Sequence, residues 1–191
     1  MSPNNWGQQA VYLQSGDPER EAVDTLHAPG TLGSRFTVKQ PIGSQPGAED
    51  GRFKTYQLVQ TDSTMTVSPF KGAVAWWSDK TRYLVTTSPT ALGRGRIAGV
   101  FQNDESQYPI RPGQYTCVQI KGPASVKFID AVVVGNVNTA GNFVIPSATA
   151  GKADVIAAGS ASTYPSLGVT AGALQGGTAL AVVDLDVPET P

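Results

Sequence analysis

Beyond Arg52 the chain is cut into short pieces by turn-forming residues, and this punctuation limits the available folds more than any other feature. Ser68-Pro69, Lys71-Gly72, Ser88-Pro89, Pro112-Gly113, Gly122-Pro123, Thr139 to Asn142 and Gly176-Gly177 fall between the apolar runs. Glycine supplies the positive φ that many tight turns need and proline presets φ in others, so a long helix does not pass through them. The intervening runs predict strands near Phe53–Gln60, Ala73–Trp77, Arg82–Thr87, Arg96–Gln102, Gln114–Lys121, Val126–Val134, Asn142–Ile145, Asp154–Ala157 and Ala179–Val187. Many short strands at this spacing predict an all-β fold, a compact antiparallel β-sandwich or β-barrel over residues 53–191. Residues 146–178, rich in Ala, Gly, Ser and Thr, predict a small β edge or a long loop.

Residues 1–52 carry Pro at 3, 18, 29, 41 and 46 and Gly at 7, 16, 30, 33, 43, 47 and 51. These break any apolar period before it can define a buried face, which predicts an extended N-terminal arm. A short helix at 18–27 is compatible with the arm. Asp17 would cap it, Pro18 suits the first helical position, Glu19 and Glu21 sit at the positive end of the dipole, and Pro29-Gly30 stops it. So short a helix does not hold unaided in water and needs a surface to dock on.

Composition excludes whole classes of function. His27 and Cys117 are the one His and the one Cys, too few for Cys/His zinc sites, iron–sulfur clusters or an intrachain disulfide, and no cofactor or metal is expected. A lone Cys suits synthesis in a reducing compartment. The start lacks the basic and apolar regions of an export signal, and no apolar run approaches the ~18 residues of a membrane helix. The expectation is a soluble protein made in the cytoplasm and not bound to a membrane.

Charge is sparse and uneven. Charged residues make up 15% of the chain, against roughly 25% in average soluble proteins. Residues 1–34 hold Arg20 against four acidic side chains, residues 35–127 hold 12 basic against 6 acidic, and residues 128–191 hold Lys152 against 5 acidic. The middle is basic and the ends are acidic. Its cations sit singly rather than interleaved with aromatics on one face, so direct nucleic-acid binding is not expected.

The candidates for chemistry all have simpler explanations, and an enzyme is not expected. Asp184 and Asp186, two apart on a predicted strand, share a face as paired catalytic carboxylates would; the polar side of a terminal strand explains the same spacing. Cys117 reads as a small apolar core residue, with no nearby cation or helix start to activate its thiol. His27 beside Pro-Gly reads as a helix-end residue. Gly93-Arg-Gly-Arg-Ile-Ala-Gly99 has the wrong final interval for a dinucleotide fingerprint and precedes a strand. Trp76 and Trp77 say more. Adjacent strand residues leave by opposite faces, so one indole enters the core and the other is covered by the arm, by a neighbouring chain or by a ligand such as a sugar, unless a thick sandwich buries both.

Three stretches, Gly72-Ala-Val-Ala-Trp76, Arg96-Ile-Ala-Gly-Val-Phe101 and Ile110-Arg-Pro-Gly-Gln-Tyr-Thr-Cys-Val-Gln-Ile-Lys-Gly122, resemble the capsid decoration, or cement, proteins of tailed bacteriophages over roughly residues 72–135. The resemblance implies a structural virion protein, made in the host cytoplasm and placed on the capsid exterior. It would bind the expanded shell and clamp adjacent major capsid subunits against internal DNA pressure, commonly as a homotrimer at threefold positions and sometimes as a dimer. Phe70, Trp76 or Trp77, Phe101 and Tyr108 would serve as interface anchors, because aromatics dominate buried contact energy. Arg94 and Arg96 would steer the encounter. The competing expectation is a carbohydrate-binding or host-attachment β-sandwich module, such as a head fibre or tail-associated protein, with an exposed Trp stacked on a sugar.

Overall fold

A computed structural model describes residues 22–23, 31–39, 53–89, 97–103, 105–106, 109–129, 139–157, 160, 165–174 and 179–188. Among them there is no helix, and the strands are β1 (Ala22–Val23), β2 (Arg35–Lys39), β3 (Phe53–Thr61), β4 (Val74–Asp79), β5 (Leu84–Thr86), β6 (Ile97–Val100), β7 (Tyr115–Lys127), β8 (Phe143–Pro146), β9 (Ala153–Ile156), β10 (Gly168–Leu174) and β11 (Leu180–Asp186). The fold is all-β. Strands β3, β5, β4, β6 and β7 are hydrogen-bonded in that order, and β7 returns to β3 through the run from Thr55↔Lys121 to Gln60↔Tyr115, closing a five-stranded barrel. Closure gives every barrel strand a partner on both sides, the β6–β7 joint being the single pair Val100↔Gln119. Four of its five joints are antiparallel; β3 and β5 run parallel because the β4–β5 hairpin brings the chain back beside β3.

The strand predictions from Phe53 onward place the barrel well, with two exceptions. Of the strand predicted at Val126–Val134 only Val126 and Lys127 belong to a strand, β7, and 130–134 lie outside the described residues. Gly122-Pro123, expected to be a turn between two strands, lies inside the 13-residue β7. Gly122 has φ +86, and a Cβ there would collide with the Phe53 carbonyl oxygen, so β7 bends at this point instead of reversing. Its first half closes the barrel against β3, and its second half pairs with β11 from Lys121↔Asp186 to Lys127↔Leu180. Gln119, fully buried, holds the bend: its Nε2 donates to the carbonyls of Lys121 at 3.0 Å and Pro123 at 2.9 Å.

From β11 an outer sheet continues through β10, β8 and β9. The stretch 146–178, expected as a β edge or long loop, supplies β9 and β10 to it. The sheet is tied back to the barrel where Val74 N donates to Gly151 O at 2.9 Å and Ile129 N donates to Ala153 O at 3.0 Å. One apolar core runs through both layers, from Val59, Trp76 and Phe101 to Val144, Leu167 and Leu185.

Two parts of the predicted arm, 22–23 and 31–39, fall among the described residues, and each lays an extended strand on the barrel. Within the stretch compatible with a helix at 18–27, Ala22 and Val23 pair with Thr116 and Tyr115 of β7, so these two residues are strand and not helix. An open stretch of β7 satisfies their backbone groups, which a short isolated helix cannot do as well for itself. Strand β2 pairs antiparallel with β3 from Arg35↔Gln57 to Lys39↔Phe53. Phe36 stacks on Tyr56, ring centres 5.8 Å apart, and with Leu32 and Val38 covers a second apolar cluster of Tyr56, Leu58 and Cys117. Residues 31–39 of the predicted arm are therefore packed on the barrel.

Candidate functional site

Among the described residues, two surface clefts bring together polar and apolar side chains able to recognise a partner. The first, of about 340 Å³, is floored by Trp77, Ile120 and Val187 and walled by Arg35, Gln57, Lys80 and Tyr83. Its outer wall is built by the β4–β5 turn. The Asp79 carboxylate accepts hydrogen bonds from Thr81 N at 3.0 Å, Thr81 Oγ1 at 2.7 Å and Arg82 N at 3.3 Å, which shapes the loop and turns the carboxylate into it. The Thr81 hydroxyl above all, then these backbone amides, hold the Asp79 pKa below the ordinary carboxylate value.

The same turn ends on Tyr83 at φ 54, a left-handed conformation uncommon for a bulky residue and one that stores strain. Its ring sits edge-on to Trp77, centroids 6.1 Å apart at 70°, and against Gly33, where a Cβ would overlap it. Gly33 has φ +83, its N–H donates to Leu58 O at 2.8 Å, and Gln57 Nε2 donates to Gly33 O at 3.2 Å. The 31–34 turn is thereby clamped over the barrel, and Arg35, the first residue of β2, stands at the cleft.

The second cleft, about 480 Å³ and shallower, lies where the barrel meets the outer sheet. Phe70 and Leu180 line it together with Lys71, Lys127, Lys152 and Glu105. Five chain segments converge here. Lys71 N donates to Glu105 Oε2 at 2.9 Å, Gly72 N to Phe101 O at 2.8 Å and Lys127 N to Gly72 O at 2.9 Å. The Phe70 ring rests on Gly151, where a Cβ would lie 2.9 Å from Phe70 Cζ. Three lysines and one glutamate thus surround two partly exposed apolar side chains.

The residues singled out in sequence fall in different places. Trp76 is 1% exposed, Trp77 7% and Phe101 0%. This chain buries all three itself, so they are not surface anchors; both indoles lie in one core, and Trp77 is covered by Tyr83 and the 31–34 turn. Phe70 is half-buried and lines the lysine-rich cleft. Arg94, Arg96, Tyr108 and His27 lie outside the described residues. Asp184 and Asp186 point outward from β11, whose Val183 and Leu185 point in, and Asp186 makes an exposed ion pair with Lys121 at 3.6 Å. Cys117 is buried among Tyr56 and Leu58. Arg35, Gln57, Lys80 and Tyr83 were missed, because their convergence depends on β2 folding back over the barrel; a Tyr where a turn favours Gly was the one local signal.

Among the described residues no group of three or more His, Cys, Asp or Glu could hold a metal ion, and no helix is long and apolar enough to cross a membrane. No protein-family model, curated protein or solved structure matches the chain.

Proposed function

We propose that this chain is a structural virion protein that binds the outer surface of a tailed-phage capsid and clamps adjacent major capsid subunits against internal DNA pressure. The observation that carries this reading is the cleft of Phe70 and Leu180 ringed by Lys71, Lys127 and Lys152. An apolar centre with a charged rim is the usual anatomy of a protein-docking surface. The cationic rim fits an acidic patch on the shell, with Phe70 as the desolvated anchor in place of the buried tryptophans. Copies related by the symmetry of the shell would assemble as a closed homotrimer or dimer.

Co-sedimentation of the purified chain with expanded tailed-phage heads tests the reading. Saturable occupancy is expected, with raised temperature for DNA release. Phe70→Ala should speed dissociation, and a Lys71→Gln/Lys127→Gln/Lys152→Gln variant should slow binding and flatten its salt dependence. Heads that bind no chain, or that are equally heat-stable with and without it, overturn the proposal.

A further inference from the structure

We infer that the outer edge of β2 accepts an extended segment of a partner protein, added as a further strand whose side chains alternate between apolar and acidic. Among the described residues β2 ends the strand order on its side of the sheet, with β3 as its one neighbour. The bonds just before it fix where its backbone groups point. Leu58 N donates to Ser34 O at 3.0 Å and Gly33 N donates to Leu58 O at 2.8 Å. In the unshifted register from Arg35↔Gln57 to Lys39↔Phe53, the next groups turned towards β3 are therefore those of Phe36 and Val38. The N–H and C=O of Thr37 and Lys39 face away from β3, and among the described residues nothing bonds to them. The far end of the sheet differs, since Ile129 N donates to Ala153 O at 3.0 Å along the outer side of β9.

A row of free main-chain groups selects an extended backbone, and the side chains beside it select the sequence. Lys39 is exposed, and neither β2 nor β3 contains a carboxylate, so an acidic side chain opposite Lys39 completes a cross-strand ion pair. On the other face Phe36 and Val38 are half-buried over Tyr56, Leu58 and Cys117, and apolar side chains at the alternate positions extend that cluster. A second copy fits poorly. Two β2 strands related by a twofold axis at Thr37 set Lys39 opposite the cationic Arg35, and like charges directly opposite destabilise a strand pair. Proline and bulges, common blocks on an edge, are absent from β2. This inference is independent of shell docking, since β2 contributes no residue to the cleft of Phe70 and Leu180.

Isothermal titration of the full chain with a blocked heptapeptide, Val-Glu-Val-Thr-Val-Glu-Val, tests it. One comparison peptide has Lys in place of both Glu, and another keeps the composition with the two Glu adjacent. Saturable binding of the alternating acidic peptide is expected, at least tenfold tighter than that of either comparison. Thr37→Pro removes an N–H that β3 does not use, which an edge strand tolerates, and should weaken binding at least tenfold; Thr37→Ala, which keeps the N–H, should bind as wild type. Lys39→Glu should reverse the preference towards the Lys peptide, and this exposed change decides the matter if circular dichroism shows the proline variant unfolded. Phe70→Ala should alter none of these affinities. Absence of saturable binding at millimolar concentration overturns the inference, as do equal binding of the three peptides and wild-type behaviour of folded Thr37→Pro or of Lys39→Glu. Sedimentation showing self-association of the free chain that Thr37→Pro abolishes would give the edge to a second copy and overturns it too.

Discussion

At the scale of single residues, the positions that shape this surface are those whose backbone or hydrogen bonds run against the ordinary preference of the side chain. Tyr83 occupies a left-handed conformation at φ 54, which costs an L-residue roughly 1–2 kcal/mol relative to glycine. Tyr83→Ala loses the ring and keeps the strain, whereas Tyr83→Gly loses the ring and relieves it. Chemical denaturation should show both variants less stable than wild type, with Ala below Gly by about 1 kcal/mol; Ala equal to or above Gly would show that the turn is unstrained. Asp62 and Asp79 set a pH dependence. Thr64 N and Oγ1 donate to Asp62 Oδ1 at 2.8 and 2.7 Å, and these bonds, the backbone one foremost, hold its pKa below the ordinary value, as the Thr81 hydroxyl does for Asp79. A carboxyl more acidic in the folded chain stabilises the fold above its unfolded pKa, near 4, and that stabilisation is lost as pH falls through the folded value. The melting temperature of wild type should therefore fall below about pH 4, and an Asp62→Asn/Asp79→Asn variant should show a flatter decline over the same interval.

At the scale of elements, β7 organises the molecule. Its first half closes the barrel and its second half founds the outer sheet, and the change of partner occurs at Gly122. The residue needs φ +86 and has the Phe53 carbonyl where a Cβ would go, so substitution forces either the strand or its partner to move. Gly122→Ala should destabilise the fold by about 3 kcal/mol or more, read by urea denaturation, while Gly141→Ala, with open space around its Cβ, should cost only the backbone strain of its φ of +87. Equal effects of the two substitutions would mean that the close approach at Gly122 does not hold β7 in its bend. Local chemistry suggested a turn at Gly122-Pro123 because those residues favour one; pairing with β11 across Pro123↔Asp184 overrides the preference, and the Gln119 amide satisfies carbonyls at the bend.

At the scale of the whole molecule, barrel and outer sheet share one apolar core, so neither layer has a separate interior to fall back on. Trp76, fully buried in that core, carries the corresponding prediction. Trp76→Ala should destabilise the protein by about 3–5 kcal/mol, and far-ultraviolet dichroism and tryptophan fluorescence should report one coincident thermal transition in both wild type and variant. Two separated transitions would show that the layers fold independently. Trp76, Trp77 and Phe101 are committed to the interior, so the proposed shell docking rests on side chains at the seam between layers, Phe70 and Leu180.

The amino-acid sequence by itself determined the fold class and most strand positions, because turn chemistry and period-two burial are local properties that neighbouring residues decide. It determined the outward placement of Asp184 and Asp186 for the same reason, since alternation along β11 leaves them no other face. Only the tertiary structure decided that the strands close into a barrel, that β7 continues through Gly122-Pro123, and that both indoles are buried. These outcomes depend on which distant segment supplies hydrogen-bond partners and cover, and local preference carries no record of that choice. Both clefts belong to this second group: each is assembled from segments far apart in the chain, Arg35 with Lys80 in one and Phe70 with Lys152 and Leu180 in the other, and proximity of that kind exists only once the barrel has closed and the outer sheet has folded back on it.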